Sequence, residues 1–305
     1  MEQWARMKSF TLAAFLLSIA SCSTAPTLRL DPGLVRPWSQ DAWRDEPYRH
    51  PYLAVFKKGD LVLTYLATAH ENQASSPTIR LLDQTFANGS FQAVMIEGLP
   101  FDSSRSEYEA YLRHVVRTST GGFFQGGEDA AAAILAHSKG IPFYGGEPTD
   151  PEVLRDVLAR GYTARDLVGL YAVRMIPVWA GKGRLKDSSL GKLAEDALGL
   201  SCRNYRLTPA ECPSFDEVKR WYRAKNGKDF GESFDQEELT PYPGGTYFTQ
   251  RLTAAITDVR NKAAVRHAEE LLRKHRRLLV VYGGSHLFMQ SKAFEKALGA
   301  PVYSQ

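Results

Sequence analysis

Most of the short motifs by which enzymes are recognised are missing from this sequence. His70 is followed by "ENQA", so no HExxH helix exists, and there is no GxSxG elbow, no phosphate-binding glycine loop with GK[ST] and no dinucleotide fingerprint. Ser285 has His286 as its immediate neighbour, which cannot readily serve it as a base, so a serine hydrolase is poorly supported. Cysteine is scarce: there are 3, with no CxxC pair, which makes a metal site on cysteine the weaker reading. Charge of one sign is lacking as well. With 38 basic and 34 acidic residues the net charge is +4, too small to imply a polyanionic partner. The densest basic run, "RKHRRLL" from Arg273 to Leu279, has no interleaved aromatics and falls at a predicted helix end, where cations complement the helix dipole. Nucleic acid is therefore not an expected partner. No internal repeat is present.

What is there begins with a targeting pattern. Arg6 and Lys8 precede the apolar run "FTLAAFLLSIA", which is too short to span a bilayer as a permanent helix and reads as a secretory signal over residues 1–21. The tail "IASC", Ile19 to Cys22, matches the cleavage pattern of bacterial lipoproteins, so Cys22 is expected to be the lipidated first mature residue; Met7 is an equally good start. Ser23 in place of aspartate resembles lipoproteins of the outer membrane, which implies a membrane-tethered chain facing the periplasm. In that oxidising compartment Cys202 and Cys212 are most simply a disulfide, stabilising the fold by roughly 3 kcal/mol on the chain-entropy model.

After a Pro-rich tether over residues 22–48, apolar runs alternate with amphipathic stretches. "LVLTYLATAH" reads as a strand and turn, "SPTIRLLDQTFAN" as a helix capped by Ser76, "FQAVMIEG" as a strand, "GEDAAAAILAHSKG" as a helix with a glycine cap, and "IPFYGGEP" as a short strand. From about 151 to 245 the rhythm breaks into helical runs that read as an insertion or cap. A long amphipathic helix, Thr249 to His275, then leads into "RLLVVYGGSH", and "KAFEKALGAPVYSQ" closes with a helix and an edge strand. The expected fold over 49–305 is α/β: a mainly parallel sheet flanked by helices, with a largely helical insertion.

Ligands of such sheets bind beyond the carboxyl ends of the strands. Those ends carry His70 with Glu71, Glu97 after "AVMI", Glu147 after "PFYGG", and His286 after "VVYGGS". Two imidazoles with one or two carboxylates suit zinc, manganese or iron. Each has an ordinary structural alternative: His70 as a helix cap, Glu97 paired with a surface arginine, Glu147 as a turn residue before Pro148, His286 bound to a carbonyl. Coincidence at four strand ends favours the shared site. His114, His137, His267 and His275 read as surface or structural residues.

The motifs "ATAH" (Ala67 to His70), "IEG" (Ile96 to Gly98), "RN" (Arg260, Asn261) and "GGSH" (Gly283 to His286), in that order, resemble the TraB/TIKI family, within a wider group of erythromycin-esterase-like and ChaN-like haem-binding proteins. The early motif has Ala67 where the family carries glycine. This resemblance implies a metal-dependent hydrolase acting on a peptide or small-molecule substrate, with His70, Glu97 and His286 as metal residues and Arg260 and Asn261 as supports on a helix. In that scheme the metal activates water, Glu147 or Glu71 takes the proton, and Arg260 stabilises the oxyanion. Arg260 could instead pair with Asp258 or Asp187. Two rival readings are a haem- or iron-binding lipoprotein using Tyr65, Tyr144 or Tyr282, and a non-catalytic envelope protein.

Overall fold

The computed structural model describes residues 28–46, 48–181, 189–230 and 235–304. The signal segment, Cys22 and Asp187 lie outside them. In chain order the elements are α1 (Gln40–Arg44), β1 (Tyr52–Lys58), β2 (Leu61–Thr68), α2 (Pro77–Asn88), β3 (Ala93–Pro100), α3 (Arg105–Thr118), α4 (Gly127–Ser138) and β4 (Phe143–Glu147). They continue with α5 (Asp150–Ala159), α6 (Ala164–Gly181), α7 (Leu190–Asn204), α8 (Phe215–Asn226), α9 (Phe248–His275), β5 (Arg277–Gly283), α10 (Gly284–Leu298) and β6 (Val302–Ser304).

The strands form one six-stranded sheet in the order β4-β3-β5-β2-β1-β6. Its first four members run parallel, and β1 is antiparallel to both β2 and β6. The period of two decides which helices cover which face. Leu278, Val280 and Tyr282 of β5 join Leu63, Tyr65 and Met95 in a core closed by α9 and α10. Leu279 and Val281 point the other way, with Leu66, Val94 and Ile96, and meet α2 and α4. The alanine run of α4, Ala130 to Ala133, is wholly buried, and its small side chains let that helix lie close to the sheet. The architecture is thus mixed α/β, mostly parallel and covered on both faces.

Two elements carry a weak apolar signal in sequence. Helix α3 buries only Val115 fully, so its polar sequence hardly marks a face. Strand β1 follows directly on a stretch rich in proline and polar residues, and its alternation is complete only over Tyr52 to Phe56. Residues 28–46 are also more than a spacer. Leu30 enters the main core, Trp38 and Trp43 each pack edge-on against Phe288 at 5.7 Å, and Arg36 donates to the Phe288 carbonyl at 2.6 Å.

Helices α5 to α8 enclose a second core with the start of α9, built from Val157, Leu167, Leu198, Trp221 and Ile256 among others. The disulfide Cys202–Cys212 joins the end of α7 to the loop before α8, and Cys202 lies inside this core. Closing a loop with a sequence separation of 10 should contribute about 3 kcal/mol. The Cys202→Ala/Cys212→Ala variant is therefore expected to melt several degrees lower, as read by circular dichroism; an unchanged melting temperature would show that the bond does not constrain the unfolded chain.

Candidate active site

Strand order brings the four expected strand ends side by side. From the edge inward they deliver Glu147 (β4), Glu97 (β3), the Gly283–Gly284 turn (β5) and His70 (β2). Each position has a local cause. Between Ile96 and Pro100 the register of β3 on β4 slips, with Gly98 at φ +82°; the irregularity lifts Glu97 out of the ladder. His70 has φ +55°, a left-handed conformation uncommon for a residue with a Cβ and frequent at functional sites. At β5 no loop intervenes: Gly283 caps α10, so His286 stands in the first turn of a helix rather than in a turn after the strand.

Arg260 on α9 is the centre of the cluster. Its Nε and Nη2 both donate to Glu147, each at 2.6 Å, and Nη2 also reaches Glu97 Oε1 at 3.0 Å. Asp258 pairs instead with Arg160 and Lys262, so the surface pairing open to Arg260 is not the one made. The second Glu97 oxygen accepts the Gly283 N–H at 2.9 Å. Burial by itself would raise the Glu97 carboxyl, but His286, Arg260 and His70 around it hold it well below the usual carboxylate range.

The two histidines are held differently. His286 Nδ1 meets Asn261 Oδ1 at 2.9 Å and its Nε2 lies 3.3 Å from Glu97 Oε1, so both ring nitrogens face acceptors. Asn261 is itself held, its Oδ1 accepting from Gln290 and its amide donating to the Thr257 carbonyl. His70 Nδ1 meets Glu128 Oε1 at 2.8 Å, and the same oxygen accepts the Thr68 hydroxyl. That hydrogen bond raises the His70 pKa above its ordinary 6.5. Its Nε2 sits against Gly283, where an added Cβ would lie 2.6 Å away. The His70 side chain is 62% exposed, open to an incoming molecule, whereas Glu128 is sealed in.

Three participants have no early mark in the sequence. Glu128 and Asp129 look like the acidic residues that any helix places in its first turn. Glu128 is buried and Asp129 partly so, and burial with the carboxylates of Glu97, Glu128 and Glu147 pushes the Asp129 carboxyl well above the usual range. His50 comes from the segment before β1. Its ring stacks on Trp43 at 4.8 Å, fills the space a Cβ at Gly284 would need, and leaves a buried Nε2 without a partner among the described residues. Burial, then the charges of His70 and Arg49, lowers its pKa. Glu71, by contrast, turns away to accept the Thr78 N–H at the start of α2, the capping bond that Ser76 does not make.

Chemistry of the donor set argues against a metal cage in this arrangement. Among the described residues no three His, Cys, Asp or Glu side chains are grouped to hold an ion, and the Arg260 guanidinium already supplies the positive charge between Glu97 and Glu147. His70, Glu97 and His286 are neighbours, but not a three-donor set. Haem ligation fits no better: Tyr65 and Tyr282 are fully buried with phenol pKa values pushed well up by that burial, and Tyr144 reaches His275 instead. His267 is structural, stacked on Phe101 and bonded to the Gly146 carbonyl; His114 and His137 lie on the surface.

No family model, curated protein or solved structure matches the chain. The site must be read from its own geometry. Removing Arg260 leaves two part-buried carboxylates facing one another, which costs about 3 kcal/mol or more. The Arg260→Met variant is expected to unfold at clearly lower urea concentration with an unchanged denaturant slope. An unaltered midpoint would mean that the cluster is far wetter than its contacts indicate.

Proposed function

We propose that this chain is a hydrolase of ester or amide bonds in which His70 activates water at the carboxyl edge of the sheet. The observation that carries the reading is the His70–Glu128 pair. A buried carboxylate fixes Nδ1 as the protonated nitrogen and leaves Nε2 as a lone pair on an exposed side chain, the arrangement by which a carboxylate orients a general base. Water attacking a carbonyl carbon would pass its proton to His70 Nε2. The charge developing on the carbonyl oxygen would face the first turn of α10, whose N–H groups have no side-chain cap. His70, carrying the proton taken from water, is placed to return it to the leaving group, and His286, held between Glu97 and Asn261, is a positioning residue. Arg260 and Glu147 are positioning residues in this scheme, since each has its hydrogen bonds taken by the other.

Resemblance of the strand-end motifs to the TraB/TIKI family points to the same reaction class, although the metal implied by that resemblance has no step here. The wider reading keeps a lipid anchor at Cys22, an outer-membrane location and a periplasm-facing domain, and takes the helices between about 151 and 245 as a cap over the edge. The disulfide is in keeping with an oxidising compartment.

His70→Ala should lower turnover of a para-nitrophenyl ester by about 10²- to 10⁴-fold. Because Glu128 raises the His70 pKa, the neutral base forms only above the ordinary 6.5, and the rate should climb with pH through that higher value. Glu128→Gln removes the charge that favours imidazolium, so the limb should move to lower pH while the rate falls. A limb that stays in place would assign the titration to another group. Chelation is expected to leave the rate unchanged; activity abolished by EDTA and restored by zinc would overturn the metal-free scheme.

A further inference from the structure

One part-buried cation near this edge stands out among the described residues. Arg174 lies on α6, within electrostatic range of Arg260, Glu147 and Tyr205, and its guanidinium carbon is 5.5 Å from the Tyr171 ring. It makes no hydrogen bond or ion pair with the described residues. Glu147 attracts it from a distance without a hydrogen bond between them, its two oxygens being bonded to Arg260. A guanidinium offers five N–H donors and no acceptor, so a part-buried one without an ion pair is suited to an anionic partner. Burial lowers its pKa, and the charge of Arg260 acts in the same direction.

Arg174 lines a cavity of about 410 Å³ together with Trp38, Thr253 and Ser285, between apolar walls that include Val178 and Leu239. Two of those residues hold unpaired donors: the Trp38 indole N–H and the Thr253 hydroxyl are buried without hydrogen-bond partners among the described residues. No Asp or Glu is among the described residues of the lining. The cavity therefore has one positive charge, a surplus of donors and no anionic acceptor. Ser285 places it beside His286, on the first turn of α10.

We infer that this cavity is the subsite for a carboxylate carried by the substrate, with Arg174 as its counter-ion and Trp38 and Thr253 as additional donors. A carboxylate matches the single guanidinium in charge and its fork in shape. Apolar walls on both sides suit the hydrocarbon chain linking that group to the scissile bond. The substrate class is then an ester or amide with a free carboxylate a few atoms from the reacting carbonyl. The subsite rests on the hydrolase reading only for the bond that is cut, not for binding of the anion.

Glutarate is the probe that separates the two. By isothermal titration it should bind the wild-type chain, bind His70→Ala with the same affinity, and bind Arg174→Gln about 10-fold or more weakly, with Arg174→Lys in between. For the para-nitrophenyl half-ester of glutarate against para-nitrophenyl valerate, the ratio of kcat/KM should fall by a similar factor in Arg174→Gln. Losing an unpaired charge should not lower the melting temperature, so misfolding of Arg174→Gln would itself count against the assignment. Absence of glutarate binding by the wild type, or equal binding by Arg174→Gln, would overturn the subsite. Binding that depends on Arg174 with neither ester cleaved would leave the subsite standing and remove the hydrolase reading.

Discussion

The site depends on one ion-pair network, Arg260 between Glu97 and Glu147. Two carboxylates from neighbouring parallel strands would repel each other at the sheet edge, and a guanidinium from α9 makes their proximity favourable. Planar Arg geometry matters, because two parallel N–H bonds to Glu147 fix the fork and leave Nη2 to reach Glu97. Glu97 is in turn the point to which the Gly283 amide and the His286 ring are referred. Buried ion pairs contribute little net stability, since desolvation offsets much of their attraction. Their effect here is one of specificity: the network sets where β3, β4, β5 and α9 meet.

The glycine pair at the end of β5 performs the second service. Gly283 admits the His70 ring and Gly284 admits His50, so two imidazoles approach the backbone from opposite sequence directions at one turn. Side chains at either position would expel a ring. With no loop between strand and helix, the free amides of α10 open at that same turn, beside an exposed imidazole whose tautomer is set by Glu128. The base and the helix N-terminus then belong to elements that the main core holds rigidly.

Segments outside the sheet complete the surroundings. The stretch before β1 contributes His50, Trp38 and Trp43, all packed around α10, so a region rich in proline and polar residues has structural work at the site. Helix α6 contributes Arg174 from the second core. The edge of the sheet is thus walled by chain that arrives from both ends of the sequence.

Much of the scaffold was legible in the residues themselves. Alternating strand and helix patterns, Pro77 at the head of α2, Gly140 after α4 and the unbroken run from Thr249 to His275 determine local structure through backbone preference and periodicity, which act over a few residues. That His70, Glu97, Glu147 and His286 lie near the carboxyl ends of strands follows from that local structure, although β3 continues past Glu97 to Pro100, β4 includes Glu147, and His286 stands in the helix that follows β5. Which strands are neighbours did not follow, and the order β4-β3-β5-β2 is what turns four separate ends into one edge. Roles changed for the same reason. Glu147 is bound by Arg260, Glu71 caps α2, and Glu128, Asp129, His50 and Arg174 enter the picture only through burial and distant partners. A carboxylate at a helix start has the same local sequence whether it faces water or an imidazole. The sequence alone determined which chemical groups stand at the strand ends; tertiary packing decided their partners, because desolvation and pairing depend on chain segments remote in sequence.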